Sequence, residues 1–355
     1  MITINISLAA LLIIGSTIHV SHSFQLSTRG KSASASTSAS TSTSALAMKT
    51  IDSHLHVWAN SIESKDYPYA PNQTPPDALK EISSTSSLLS QMKQANVDGA
   101  LIVQPINHQY DHRYVAQAMK DHPDKFKGML LFDPSLGLGL QDQNLALARL
   151  EELVLEGFVG VRFNPYLFPA DADADAGAGG QSSVMSQNQA AVAVFKRCAE
   201  LKVPVGIMCF KGIDLHYDDI VSFCEMSPDT VVILDHFGFA SVQGVNSQDK
   251  FDMVLKLAEY NVVVKISALF RLGDEDSDPS YERVKTERLD PLLKAYGADR
   301  LMFGTDFPFV TQETIGYKGA VDIVSSWLSE LGDDDESQKN AVMGGTAERL
   351  FGTWG

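Results

Sequence analysis

Cysteine is scarce in this 355-residue chain. Cys198, Cys209 and Cys224 are an odd number set in apolar segments, which excludes a disulfide framework and reads as reduced core thiols. Positive charge is also short: 28 Lys and Arg stand against 44 Asp and Glu, a net charge of −16. An acidic surface of that kind excludes nucleic acid and anionic membranes as general partners. No glycine-rich phosphate loop follows the first strand-like segment, which argues against a nucleotide-binding sheet. The one markedly apolar stretch, residues 7–20, is too short to span a bilayer comfortably, so no membrane segment is expected in the mature chain. What is abundant is apolar residue, 44% of the total and enough to bury a large core.

The first 48 residues differ in composition from the rest. The apolar stretch 7–20 is followed by Ser21 and Ser23, small residues at the −3 and −1 positions of a cleavage site. Residues 24–48 are then rich in Ser, Thr and Ala, carry Arg29 and Lys31, and contain no acid. A signal-like segment over 1–23 and a transit-like segment over 24–48 resemble the bipartite presequences of secondarily acquired plastids, in which a phenylalanine such as Phe24 follows the cleavage site. The implied destination is the plastid. Plain secretion, a signal anchor and a true start at Met48 are the alternatives.

From Lys49 onward, short apolar runs alternate with amphipathic ones. Eight strand candidates begin "KTIDSHLHVW", "VDGALIVQP", "FKGMLLFDP" and "FVGVRFNPY", and continue "VPVGIMCF", "TVVILDHFG", "VVVKISALF" and "RLMFGTDFP". Each is almost continuously apolar, as strands covered on both faces are. Helix candidates lie between them, among them "TSSLLSQMKQANV", "QNLALARLEELVLEG" and "YDDIVSFCEM". Eight strand–helix units in about 300 residues predict a (β/α)8 TIM barrel, a single catalytic domain over 49–355; a doubly wound open sheet is the runner-up. Residues 169–183, a low-complexity run with alternating Asp171, Asp173 and Asp175, lack the turn glycine and distal glutamate of a calcium loop and read as a solvated insert.

A barrel carries its chemistry at the C-terminal ends of its strands. The predicted ends collect His54 and His56, Asn107 or His108, Asp133, Arg162 and Asn164, Lys211, Asp235 and His236, Lys265, and Asp306. His54 and His56 are two apart, so in a strand they share a face about 7 Å apart and can converge on one atom. Singly, each has a bland reading. His236 could bond a backbone carbonyl, Asp306 could open a turn before Pro308, Arg162 could pair with Asp133, and Lys265 could snorkel to solvent. Jointly they point to a site, because buried polar groups need partners and these fall at one end of successive strands.

The ordered set "IDSHLHVW", "VILDHFG", "VVVKISALF", "RLMFGTDFP" and "GGTAERLF" resembles the amidohydrolase-related TIM-barrel hydrolases, most of all the branch of sugar-lactone and 2-pyrone-4,6-dicarboxylate lactonases. That resemblance implies hydrolysis of a C–O or C–N bond of a small acid or lactone by water. Asp306 is then the general base, His54, His56 and His236 stabilise the oxyanion, and Arg162 and Lys211 bind substrate. It also implies a test of metal dependence. Metal-binding members carry a histidine where this chain has Met208, next to Cys209, and a thioether is a poor ligand for Zn2+. His54, His56 and Asp306 could still hold one Zn2+, with Cys209 as a substitute ligand, but the incomplete set favours a reaction that needs no cofactor. "GGTAERLF" departs from relatives that carry an Asn near the barrel mouth, a place Thr346 could take. Metal-dependent decarboxylation of a small unsaturated acid and a catalytically silent acid-binding barrel are the rival readings. Tyr110, Tyr166 and Phe210 either line the pocket or pack the loops.

Overall fold

The computed structural model describes residues 49–136, 143–169, 185–330 and 336–355. The predicted presequence and residues 170–183 of the insert, with Asp171, Asp173 and Asp175, lie outside the described residues.

Eight parallel strands run in sequence order around one sheet. They are β1 (Ile51–Leu55), β2 (Gly99–Val103), β3 (Phe126–Leu131), β4 (Phe158–Phe163), β5 (Val205–Ile207), β6 (Val232–Leu234), β7 (Val262–Ile266) and β8 (Leu301–Phe303). Each falls inside the segment predicted for it, so the chain forms a (β/α)8 barrel and not an open doubly wound sheet. Helices connect the strands where the apolar spacing turned helical. Tyr217–Met226 matches its predicted span, and Thr85–Ala95 starts on a Ser84 side chain that accepts Ser87 N–H and stops at left-handed Asn96. Among the described residues, no helix is long and apolar enough to cross a membrane.

β8 has no ladder with β1. The barrel closes instead beyond the strand end, through a parallel bridge between Leu55 and Phe307. Asp306 N–H donates to His54 O at 2.8 Å, and His56 N–H donates to Phe307 O at 2.7 Å. The seam of the barrel is therefore made by the very residues predicted to carry the chemistry. A register shift against β2 between Asp52 and Leu55 adds a bulge there, a device that re-aims side chains next to sites.

The barrel interior changes character along its axis. Ile51, Leu101, Val103, Met129, Ile233, Val263 and Met302 pack its lower half, sealed by Phe351 and Trp354 from the chain's end. Trp354 Nε1 donates to Ala100 O at 3.3 Å, and its ring lies where a Cβ on Gly99 would stand. Further along β7, the inward positions run from Val263 to Lys265 and Ser267, because side chains two apart share a face. The floor is apolar and the mouth is polar. Thr346 belongs to the floor: its hydroxyl donates to Ala298 O at 3.3 Å, ahead of β8, so it does not replace a mouth residue as expected.

Candidate active site

The strand ends deliver three imidazoles and a carboxylate to one place. Asp306 Oδ1 lies 3.8 Å from His54 Nε2, 3.7 Å from His56 Nε2 and 3.8 Å from His236 Nε2. These gaps exceed a hydrogen bond, which ends near 3.2 Å, so the four atoms face one another across the width of a single small atom. Asp306, His54 and His236 are buried, and His56 is nearly so. The predicted convergence of the first, sixth and eighth strands is thus present in space.

Each ring is fixed from behind by its Nδ1. His56 Nδ1 lies 2.8 Å from Val103 O, and since a carbonyl only accepts, the proton is on Nδ1 and Nε2 carries a lone pair. His236 Nδ1 lies 2.8 Å from Ser267 Oγ, a hydroxyl and not the backbone carbonyl of the bland reading. His54 Nδ1 is reached by Asp235 Oδ1 at 2.9 Å and by Lys265 Nζ at 3.1 Å. Burial pushes all three imidazoles below the ordinary histidine range, His56 to about 3, so they are neutral at pH 7. This corrects one expected role. A neutral His56 with a lone pair on Nε2 accepts a hydrogen and does not donate one to an oxyanion.

Asp235 is the hub behind the rings. Its Oδ2 accepts from Arg162 Nη2 at 2.6 Å and its Oδ1 lies 3.3 Å from Lys265 Nζ. Burial works against its charge, but Arg162, His54 and Lys265 more than offset that and hold the carboxyl well below the carboxylate range. Arg162 therefore pairs with Asp235 and not with Asp133, which instead accepts Ser135 N–H and Oγ–H. Lys265 does not snorkel outward: it is fully buried, and desolvation lowers its pKa to about 8. Arg162 Nε, buried without a hydrogen-bond partner, belongs to a residue that lines the cleft.

Asp306 itself is raised to about 6, burial being the main cause, with Arg271 opposing it. Arg271 Nε donates to Asp306 Oδ2 at 2.8 Å, and its guanidinium lies 5.1 Å from the Phe309 ring centre. Sequence reasoning missed Arg271. It sits in a helical turn after β7, Leu269–Arg271, two residues past "KIS", and nothing in its spacing signals that the turn folds back over the eighth-strand end. Sequence reasoning also missed Asp52, the second residue of the first-strand motif "IDSHLHVW".

The cleft above these groups has a volume of about 170 Å3, with His56, Arg162, Arg271 and Asp306 among its polar walls and Trp58, Phe239 and Phe309 among its apolar ones. Met208 and the half-exposed Phe210 also line it. Cys209 turns the other way into the core, where burial pushes its thiol up, so it is no substitute metal ligand. Lys211, expected to bind substrate, is exposed, with its ammonium 5.0 Å from the Tyr166 ring centre, and is not among the residues that line this cleft. Tyr166 holds that loop, its hydroxyl accepting Lys211 N–H at 2.6 Å, and Tyr110 lines a separate cavity beside His112. Asn107 and Asn164 border the cleft, whereas His108 bonds Ala59 N–H and Pro68 O away from it.

The donor chemistry fits one divalent ion. Ligand atoms of His54, His56 and Asp306 lie within 4.8 Å of one another, His54 Nε2 is buried without a partner, and the Nδ1 anchors are those that orient ligating histidines.

The amidohydrolase family profile matches residues 51–353, and the chain belongs to that family. An L-fucono-1,5-lactonase from Burkholderia multivorans is 28% identical over 186 residues, a match covering 46% of this chain and 60% of the lactonase. Among solved structures, a probable 2-pyrone-4,6-dicarboxylic acid hydrolase from Acinetobacter baumannii with bound citric acid aligns at TM-score 0.65 and 19% identity, over 86% of this chain and 100% of that one. An amidohydrolase from Burkholderia multivorans with bound zinc aligns at TM-score 0.62 and 20% identity, over 86% and 99%. These structural likenesses establish the barrel.

Proposed function

We propose that the protein hydrolyses a lactone of a small acid, with Asp306 as general base on water. The observation that carries the reading is the single carboxylate oxygen facing three imidazole nitrogens at 3.7–3.8 Å in a buried cleft. Family membership and the lactonase relative support it. A water placed among these atoms would donate one hydrogen to Asp306 and the other to the His56 Nε2 lone pair, which aims its oxygen at the lactone carbonyl. Attack forms the new C–O bond as Asp306 takes the proton. The oxyanion that develops is met by Arg162, which lines the cleft, and collapse expels the ring oxygen, which regains the proton from Asp306. The product is the open hydroxy acid. With a pKa of about 6, Asp306 is ionised at pH 7 and still basic enough to take a proton.

His54, His56 and Asp306 would hold a divalent ion if one binds, and it would supply Lewis acidity and a more acidic water. In our reading, catalysis does not require it, because Arg162, Lys265 and Arg271 already place three cations on Asp235 and Asp306. Decarboxylation remains the second reading, favoured by the same ligand trio should the ion prove essential.

The test is a panel of aldonolactones and pyrone carboxylates followed with a pH indicator, before and after chelator treatment. Turnover that survives chelation is expected, with Asp306→Asn slower by about 10²–10⁴-fold, the usual worth of a general base. Unchanged turnover in Asp306→Asn removes the base assignment. Carbon dioxide release from an unsaturated acid, lost on chelation, replaces hydrolysis with decarboxylation. The presequence reading is tested separately: a fusion of residues 1–48 to a fluorescent protein is expected in the plastid, and secretion of the fusion would overturn that.

A further inference from the structure

We propose that Asp52 is a positioning residue, whose carboxylate clamps the segment after β8 onto β1 and so holds Asp306 against the three imidazoles. The proposal rests on the general-base reading of Asp306.

Asp52 is wholly buried, two residues before His54. Its Oδ1 accepts Thr305 N–H at 2.9 Å and His54 N–H at 3.2 Å, and its Oδ2 accepts the Thr305 hydroxyl at 2.6 Å. Thr305 Oγ1 in turn accepts Phe307 N–H at 3.1 Å. The chain Asp52–Thr305 Oγ1–Phe307 therefore grips the residues on both sides of Asp306 and ties the first of the site histidines to the same carboxylate.

Asp306 needs such a grip. Its φ is +65°, a left-handed conformation uncommon outside glycine, which the surroundings must hold in place. The peptide bonds from Asp306 N–H to His54 O and from His56 N–H to Phe307 O already close the barrel. Closure alone would not call for a buried carboxylate as well. Burying an acid is costly, and among the described residues no lysine or arginine forms an ion pair with Asp52; only N–H and O–H donors hold it. What the carboxylate adds is three acceptor contacts on one rigid fork, enough to fix the 305–307 backbone and with it the direction of the Asp306 side chain.

Thr305→Val keeps the shape of the residue and deletes the hydroxyl relay, while Thr305→Ser keeps the relay. Crystal structures of the two full-length variants beside the parent read the clamp without any substrate. The expected result is an Asp306 carboxyl displaced by about 1 Å in Thr305→Val and unmoved in Thr305→Ser. On the lactone that the parent hydrolyses fastest, Thr305→Val is expected to lose about 10–100-fold in kcat, with KM within about twofold, and Thr305→Ser to recover the rate. An Asp306 carboxyl that stays in place in Thr305→Val overturns the proposal, as does a fall in melting temperature with kcat retained. Should the parent hydrolyse no lactone, the hydrolase reading fails, yet the displacement of Asp306 still decides the clamp. Asp52→Asn is a harsher variant, and its failure to fold would leave the Thr305 pair as the deciding comparison.

Discussion

Arg271→Met removes the guanidinium that, among the described residues, pairs with Asp306. Its Nε lies 2.8 Å from Oδ2, with the side chain about three-quarters buried between Phe270 and Phe309. Methionine keeps much of that packing volume, so the change acts mainly on charge. A hydrogen bond to a charged group is worth about 1.5–3 kcal/mol, and one pKa unit is about 1.4 kcal/mol. Losing it therefore raises Asp306 from about 6 to roughly 7–8. The sign follows from the base role: only the ionised carboxylate takes a proton from water, so a higher pKa moves the acid limb of the rate profile upward. At pH 7 the ionised fraction falls from about nine-tenths to between a half and a tenth, a rate loss of about 2–10-fold that disappears near pH 9. The assay is kcat/KM against pH on a confirmed lactone, corrected for spontaneous hydrolysis. A 13C titration of the aspartate carboxyls gives the same quantity without substrate. An acid limb that stays near 6, or moves down, refutes the assignment of Asp306 as base and of Arg271 as its charge partner.

Other expectations follow from single contacts. Lys265→Met leaves Asp235 paired with Arg162 but strips its second cation and the contact to His54 Nδ1; it should cost about 3 kcal/mol in urea denaturation, and a loss under about 1 kcal/mol would mean that the buried ammonium is dispensable. Met208→His returns an imidazole to the cleft wall, and mass spectrometry of purified protein should find more zinc than in the parent; equal zinc would show that residue 208 is not what limits metal binding. Gly99→Ala places a methyl 2.3–2.8 Å from the Trp354 indole and should lower stability by about 1–3 kcal/mol, with the site unchanged; an unaltered melting temperature would show that the floor of the barrel yields freely.

Much of the barrel could be read from the chain because parallel strands covered on both faces are apolar throughout and separated by helical spacing, a pattern that few other folds produce. All eight strands lie within the segments picked out by that pattern. The left-handed end of Thr85–Ala95 at Asn96 is a local matter too. The site was partly legible for a similar reason. Polar residues at the ends of apolar runs stand out, and His54, His56, His236, Arg162 and Asp306 all did.

Partners were another matter, since they are separated by long stretches of chain. Nothing near Arg162 indicates that its carboxylate is Asp235 and not Asp133, because that choice depends on which strand ends lean toward each other across the mouth. Lys211 follows β5 by only four residues, yet the loop carries it outward to the Tyr166 ring. Arg271 and Asp52 gave no signal, one being a turn residue and the other an acid in a run already marked by its histidines. Composition and periodicity, which act through neighbours a few residues away, thus determined the barrel and the end of it that carries chemistry. The closing of the seam between residues 52–56 and 303–307 decided which polar groups share a charge, which nitrogen of each histidine faces Asp306, and which carboxylate stands among the imidazoles. Those outcomes depend on distances between strand ends some 250 residues apart in sequence, fixed only when the ring is complete.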